Sequence, residues 1–150
     1  MSLREHIFNN QNDRLWLENL LHPKIYRESK KQIQLVKEHW CLWVVPLLIE
    51  KKLQHIPNRI LLVDTTLKNQ IKRVIKRDKI SIQSAKKIIS AQASRKERIA
   101  ISDDIIFNKN SIHQIRKYVD YFNLFYSYLS KKNNQKQTIS IKKNYLTRFY

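Results

Sequence analysis

Trp40-Cys41-Leu42-Trp43-Val44-Val45 is a continuous apolar run that Pro46 stops. So short a run is too brief for a globular helix. Without polar alternation it suits a strand buried on both faces, as parallel sheets require. Arg59-Ile60-Leu61-Leu62-Val63-Asp64 repeats the pattern, and Asp104-Ile105-Ile106-Phe107-Asn108 repeats it more weakly. Helical segments with readable starts lie between them. Strands alternating with helices predict an α/β fold, a parallel sheet flanked by helices.

Upstream of that run, Leu15, Leu17, Leu20 and Leu21 make a helical pattern that Asn12 or Asp13 can cap. His22-Pro23 breaks it, because the residue before a proline is pushed out of the α region. Pro23 then fits the first turn of a second helix to about Glu38, with Ile25, Ile33 and Val36 inward. Downstream, Thr66 can cap a helix through Arg77, and Ser81 one reaching about Ala91. Ser94-Arg95-Lys96-Glu97 is a capping box, in which Ser and Glu satisfy each other's backbone donors. Ser111 to Gln114 is another, opening a long helix with Ile112, Ile115, Val119, Phe122 and Leu129 on one face. After Lys131 the pattern lapses into Lys131-Lys132-Asn133-Asn134-Gln135-Lys136-Gln137. Residues 131–150 therefore read as a polar basic tail behind a domain of residues 1–130.

The length of 150 residues fits one domain with a real core, and 42% hydrophobic residues exclude a disordered chain. Thirty Lys and Arg face 12 Asp and Glu, a formal charge of +18. Such an excess draws proteins toward polyanions. Abundant Lys, Ile and Asn with no Gly point instead to drift toward A- and T-rich codons as its main source. The lack of any glycine also means that these residues hold no glycine-rich phosphate loop. Cys41 is the lone cysteine, which excludes a disulfide framework and a cysteine zinc site. The first residues carry no apolar signal region, and the run from Cys41 to Ile49 is under half of the ~20 residues that span a bilayer. A cytoplasmic location without membrane partners is the default expectation.

In a parallel α/β sheet, ligands sit beyond the carboxyl ends of the strands. That rule singles out Pro46-Leu47-Leu48-Ile49-Glu50 after the first strand, Asp64 after the second and Asn108 after the third. Arg73 and Arg77, then Asp78, follow on the next helix, and Arg95, Lys96 and Arg98 on the capping-box helix. Each has a plainer reading. Asp64 can cap the following turn, Asn108 can be part of a turn, and Arg73 with Arg77 can line a solvated face. Guanidinium groups on a short capped helix suit a phosphate lid better than a solvated face. His22 reads first as a capping or packing histidine. No metal-ligand spacing and no Ser-His-Asp or Cys-His arrangement is visible.

Taken in order, these pieces match one family. Leu20-Leu21-His22-Pro23-Lys24-Ile25, Val44-Val45-Pro46-Leu47-Leu48-Ile49-Glu50 and Leu62-Val63-Asp64 resemble dephospho-CoA kinase. So do Lys76-Arg77-Asp78, the stretch Ser90-Ala91-Gln92-Ala93-Ser94-Arg95-Lys96-Glu97-Arg98, and Ser102-Asp103-Asp104-Ile105-Ile106-Phe107-Asn108. The resemblance runs from about Leu3 to Leu129. It implies a P-loop kinase fold that uses ATP and Mg²⁺ to phosphorylate the ribose 3′-hydroxyl of dephospho-CoA. It also implies that His22, Pro46, Leu47, Leu48 and Glu50 belong to the acceptor side. Residues 79–98 resemble the lid, and Arg73, Arg77, Arg95, Arg98 and Asn108 then serve the nucleotide.

The family begins with a strand, a glycine-rich loop ending in Gly-Lys-Ser/Thr, and an acidic segment with the catalytic aspartate. None of the 150 residues supplies these, so no catalytic or metal-binding residue is identifiable. Phosphoryl transfer rests on such positioning and charge stabilisation, which makes turnover by these residues alone doubtful. The missing strand is normally interior, so its absence should bare an edge of the Trp40-to-Val45 strand and promote self-association. The expected identity is the C-terminal, acceptor- and lid-bearing part of an incomplete P-loop kinase-like domain. The alternatives are a small basic nucleic-acid-binding or scaffold protein, or one half of a split kinase whose N-terminal segment is a separate chain.

Overall fold

The computed structural model describes residues 6, 10–108, 112–133 and 137–143, with residues 133 and 137–143 as backbone alone. The chain divides into two compact units, residues 1–37 and 38–150.

The first unit holds helix α1 (Gln11–Leu35), which runs unbroken through Pro23. The expected break at His22-Pro23 is thus absent. A proline inside a helix forfeits one backbone hydrogen bond, and the turns on either side carry the helix across it. Neither expected cap acts. The N-cap is Asn10 with no side-chain bond, while Asp13 in the first turn meets His6 Nε2 at 2.7 Å. Ile25, expected inward, is exposed, and no residue of α1 is buried.

The second unit is built on strands β1 (Trp40–Val44), β2 (Arg59–Asp64), β3 (Asp104–Phe107) and β4 (Gln137–Lys143). All described pairings are parallel, in the order β1-β4-β2-β3. Helices α2 (Leu67–Asp78), α3 (Ile82–Ser90), α4 (Arg95–Ala100) and α5 (Ile112–Asn133) complete it. Thr66, Ser81 and Ser94 cap α2, α3 and α4 as read from the sequence, and both halves of the Ser94–Glu97 capping box form. The expected Ser111 box lies outside the described residues.

Helix α5 lies on one sheet face, where Phe122 and Tyr126 pack with Leu61 and Ile106. Its buried stripe is Phe122, Tyr126 and Ser130, whereas Ile112 and Val119, expected inward, are exposed. Of the expected face, Phe122 is buried and Ile115 and Leu129 are half-buried. Trp40 packs edge-on against Tyr126 and donates to Ser127 Oγ at 3.1 Å, which seats the carboxyl-terminal half of the helix, and the exposed Ile112 and Val119 lie in the other half. Val45, Leu48 and Ile60 form a second cluster with Trp43, Leu53 and Ile101. Val74 and Ala85 join α2 to α3.

Two expectations about the first strand change. The run in β2 is buried nearly throughout, but Leu42 and Val44 of β1 remain 45% and 43% exposed. Alternation puts them on the face of Trp40, where α5 covers only the Trp40 end. The edge expected to be bare is paired instead. Residues 137–143, read from sequence as tail, lie between β1 and β2, with Leu42 opposite Ile139 and Leu61 opposite Ile141.

Candidate functional site

Apart from Ser130 on α5, the buried polar groups described in the second unit gather around the carboxyl ends of β2 and β3. Asp64 ends β2 at 2% exposure, followed by Thr65 at 5%, and Asn108 after β3 is 4% exposed. The Asn108 amide donates to the Asp64 carbonyl at 2.7 Å, which locks the two strand ends together. Because Thr66 caps α2 by accepting from Asn69 N at 3.3 Å, the helix starts directly beneath these ends. Gln70, also buried, donates to the Thr65 carbonyl at 3.5 Å, and Asn69 Nδ2 reaches Thr65 Oγ1 at 3.4 Å. One turn beyond Asn69, Arg73 Nη2 donates to Asn108 Oδ1 at 3.0 Å and to the Asn108 carbonyl at 3.4 Å. Its Nη1 is buried without a hydrogen-bond partner among the described residues.

Helix α4 brings the other cations. Arg95 Nε donates to both Asp64 oxygens at 3.1 and 3.0 Å, and Nη2 to Oδ2 at 2.7 Å. The fork leaves half of the Arg95 side chain, 53%, exposed above a carboxylate that is itself buried. That hydrogen-bonded carboxylate holds the Arg95 pKa above its ordinary value. Arg98 is 7% exposed and donates Nη1 to the Ala93 carbonyl. Burial pushes its pKa down, against the pull of Glu50, Asp64 and Glu97. A guanidinium nonetheless stays charged throughout the working range.

The turn after β1 is tied to the same edge. Leu53 N bonds the Leu48 carbonyl at 2.8 Å and Lys52 N the Ile49 carbonyl at 2.8 Å, closing a tight turn. Leu48, 1% exposed, anchors it in the core. Glu50 Oε1 then accepts from Ala93 N at 2.8 Å, at the entry to α4.

Of the residues expected from sequence, Glu50, Arg73, Arg95, Arg98 and Asn108 therefore join one hydrogen-bonded edge around Asp64. Leu48 is a core anchor, Leu47 is half-buried and Pro46 exposed. Arg77 forks onto its neighbour Asp78, at 2.8 and 2.7 Å. His22 lies in the N-terminal unit, 3.9 Å from Glu18 Oε2 on its own helix. Sequence reasoning left Asp64 open as a turn cap, but Thr66 does the capping and Asp64 grips Arg95. Thr65 and Gln70 were not singled out. Their only sequence signal is polarity directly after a buried run and at helical spacing from it.

Three guanidinium groups at one edge give this site a chemistry suited to phosphate. A divalent cation fits less well. Among the described residues no group of three or more His, Cys, Asp or Glu can hold a metal, and both Asp64 oxygens accept from Arg95. No described helix is long and apolar enough to cross a membrane.

A parallel α/β domain with arginines from two helices meeting at the strand ends is of the phosphate-handling α/β class. The comparisons narrow this. The dephospho-CoA kinase family model matches residues 1–114. The chain belongs to the dephospho-CoA kinase family. It is 62% identical, over 99% of its length, to dephospho-CoA kinase of Buchnera aphidicola subsp. Acyrthosiphon pisum, and covers 68% of that protein. Against the dephospho-CoA kinase of Buchnera aphidicola subsp. Schizaphis graminum the identity is 61%, covering 89% of this chain and 64% of that one. Among solved structures, dephospho-CoA kinase from Campylobacter jejuni aligns with TM-score 0.50 at 25% identity, over 87% of this chain and 65% of that one. The chain thus spans roughly two thirds of these relatives.

Proposed function

We propose that this chain carries the acceptor and lid parts of a dephospho-CoA kinase, serving ATP-dependent phosphorylation of the ribose 3′-hydroxyl of dephospho-CoA. The observation that supports this best is the Asp64–Arg95 fork. It keeps a guanidinium positioned at the strand ends while half of the Arg95 side chain stays exposed. In the reaction, the 3′-oxygen bonds to the γ-phosphorus and the bond from that phosphorus to the β–γ bridging oxygen breaks. ADP leaves and the hydroxyl proton is released. Arg95, Arg98 and Arg73 offset phosphate charge in this scheme. Glu50 orients the acceptor, Pro46 and Leu47 line its side, Leu48 anchors the turn, and Asn108 and Arg77 lie near the nucleotide. Mg²⁺ belongs to the family's chemistry, but the described carboxylates offer it no cluster.

Isothermal titration of the 150-residue chain with ATP and with dephospho-CoA tests this reading. Saturable binding of both is expected, with Arg95→Ala weakening ATP about tenfold, the scale of one charge-assisted hydrogen bond. Turnover by these residues alone should be at least ~10³-fold below that of a kinase holding a phosphate loop, since one lost electrostatic donor already costs ~10²- to 10³-fold. No saturable binding of either nucleotide would sink the proposal. Tight, steeply salt-dependent binding of duplex or RNA in its place would favour the nucleic-acid alternative. Co-purification with a chain carrying the phosphate loop would identify a split kinase.

A further inference from the structure

Arg95 is the first residue of α4, so the direction of its side chain depends on how the start of that helix is held. Glu50 Oε1 accepts from the Ala93 amide at 2.8 Å, and Arg98 Nη1 donates to the Ala93 carbonyl. One peptide neighbourhood is thus gripped from the turn after β1 and from within α4. Ser94 comes next and caps the helix, and Arg95 follows it directly. The far end of α4 is seated by different means, with Ile101 packed on the cluster of Val45, Leu48 and Ile60. A helix of six residues has little stability of its own, so its first turn stays where these polar bonds put it.

The two arginines of α4 therefore stand in different situations. Half of the Arg95 side chain is exposed over Asp64, whereas Arg98 is only 7% exposed and faces backbone. Burial lowers the Arg98 pKa most, and Glu50 leads the carboxylates that raise it, so the Glu50 charge is felt at that guanidinium. We propose that Ala93 is the joint that sets Arg95, with Glu50 and Arg98 as its positioning residues. Through it the acceptor-side turn fixes the direction of the phosphate-facing guanidinium. This deepens the kinase reading and rests on it for the anion that Arg95 meets, while the joint itself belongs to the ligand-free chain.

Arg95 Nε–H donates to Asp64, and its exchange with water in the ligand-free chain can be followed by NMR. Glu50→Ala and Arg98→Ala should each speed that exchange about tenfold, the scale of one lost hydrogen bond. Glu50→Gln keeps an accepting oxygen and should stay within about twofold of the wild type. Tyr126 bonds Asp104 at the amino end of β3, so Tyr126→Phe weakens the opposite end of the sheet. It should leave Arg95 exchange unchanged, which separates positioning from overall stability. If Arg98→Ala does not fold, the two variants of the exposed Glu50 decide by themselves. Unchanged exchange in Glu50→Ala, or equal acceleration in Tyr126→Phe, would overturn the joint. ATP titration without acceptor reads the kinase side. Removing the Glu50 charge alone would tighten an anion, so weaker ATP binding by Glu50→Ala supports the joint and tighter binding overturns it. A wild-type chain that binds no ATP sinks the kinase reading, and the exchange comparison still decides the joint.

Discussion

Lys52 and Lys79 sit in the left-handed region, at φ 53° and 52°. A side chain there costs roughly 1–2 kcal/mol against the right-handed form, and glycine escapes the clash. Lys79 follows the last turn of α2 and donates its amide to the Ile75 carbonyl at 2.9 Å, a C-terminal cap where glycine is preferred. Lys79→Gly should raise stability by about 0.5–1 kcal/mol in urea melts, net of glycine's greater unfolded-state freedom. The same change at Lys52 should act in the same direction. A loss of stability at both sites would refute the strain. Glu97 gives a pH dependence. Its bonds from Ser94 hold the carboxyl below its ordinary value of 4.5, so the folded state favours the ionised form. The stabilisation is therefore present above about pH 4.5 and lost as pH falls through the depressed folded value. Amide exchange in α4 should speed up on acidification, and Glu97→Gln should flatten that response.

Among the elements, the amino ends of β2 and β3 are held to α5 by one part-buried polar knot. Arg59 donates to Asp104 through Nε and Nη2, both at 3.0 Å, and Tyr126 Oη donates to Asp104 Oδ2 at 2.9 Å. The Arg59 guanidinium also lies 5.5 Å above the Phe125 ring centroid. The carboxylate is thus satisfied from both sides, which is the condition for such a group to stay buried. Tyr126→Phe should cost about 1.5–3 kcal/mol, the scale of a hydrogen bond to a charged partner. Burial first, and Asp104 next, push the Tyr126 phenol above its ordinary 10.0. The folded state thus favours the protonated form, and its contribution is complete below pH 10.0. It then falls as pH rises past that value toward the folded one, so the wild type should lose stability above pH 10 and Tyr126→Phe should lose less over the same range. Parallel alkaline curves for the two proteins would contradict this assignment.

For the whole molecule, a charge of +18 opposes the apolar surface it carries. Leu42 and Val44 on the sheet, and Tyr121, Leu124 and Tyr128 on α5, are all exposed, Leu124 at 71%. Charge repulsion keeps copies apart at low salt, and screening shortens its range from about 30 Å at 0.01 M to about 3 Å at 1 M. Self-association should therefore rise with salt in sedimentation velocity, and Leu124→Glu should reduce it with little change in melting temperature. Association that weakens as salt is added would point to ionic contacts instead. The expected route to self-association changes in part, because the inner edge of β1 is paired, while β1 stays an outer strand of the sheet and apolar side chains lie uncovered beside it.

The sequence by itself determined the alternation of strands and helices, the caps at Thr66, Ser81 and Ser94, and the strand ends where Asp64 and Asn108 stand. These follow from local rules, since a capping bond or an apolar run involves neighbours a few residues apart. The family was legible for the same reason, carried by short stretches in fixed order. The tertiary structure alone decided that Arg95 grips Asp64 across 31 positions and that Glu50 holds the Ala93 amide across 43. It also decided that Pro23 stays within a helix, and that polar residues 137–143 enter the sheet between β1 and β2. Such pairings depend on which chain segments meet in space. Alternating Thr, Ile and Ser in the tail carry no local mark of an interior strand, and backbone hydrogen bonding to two neighbours supplies what their side chains do not announce.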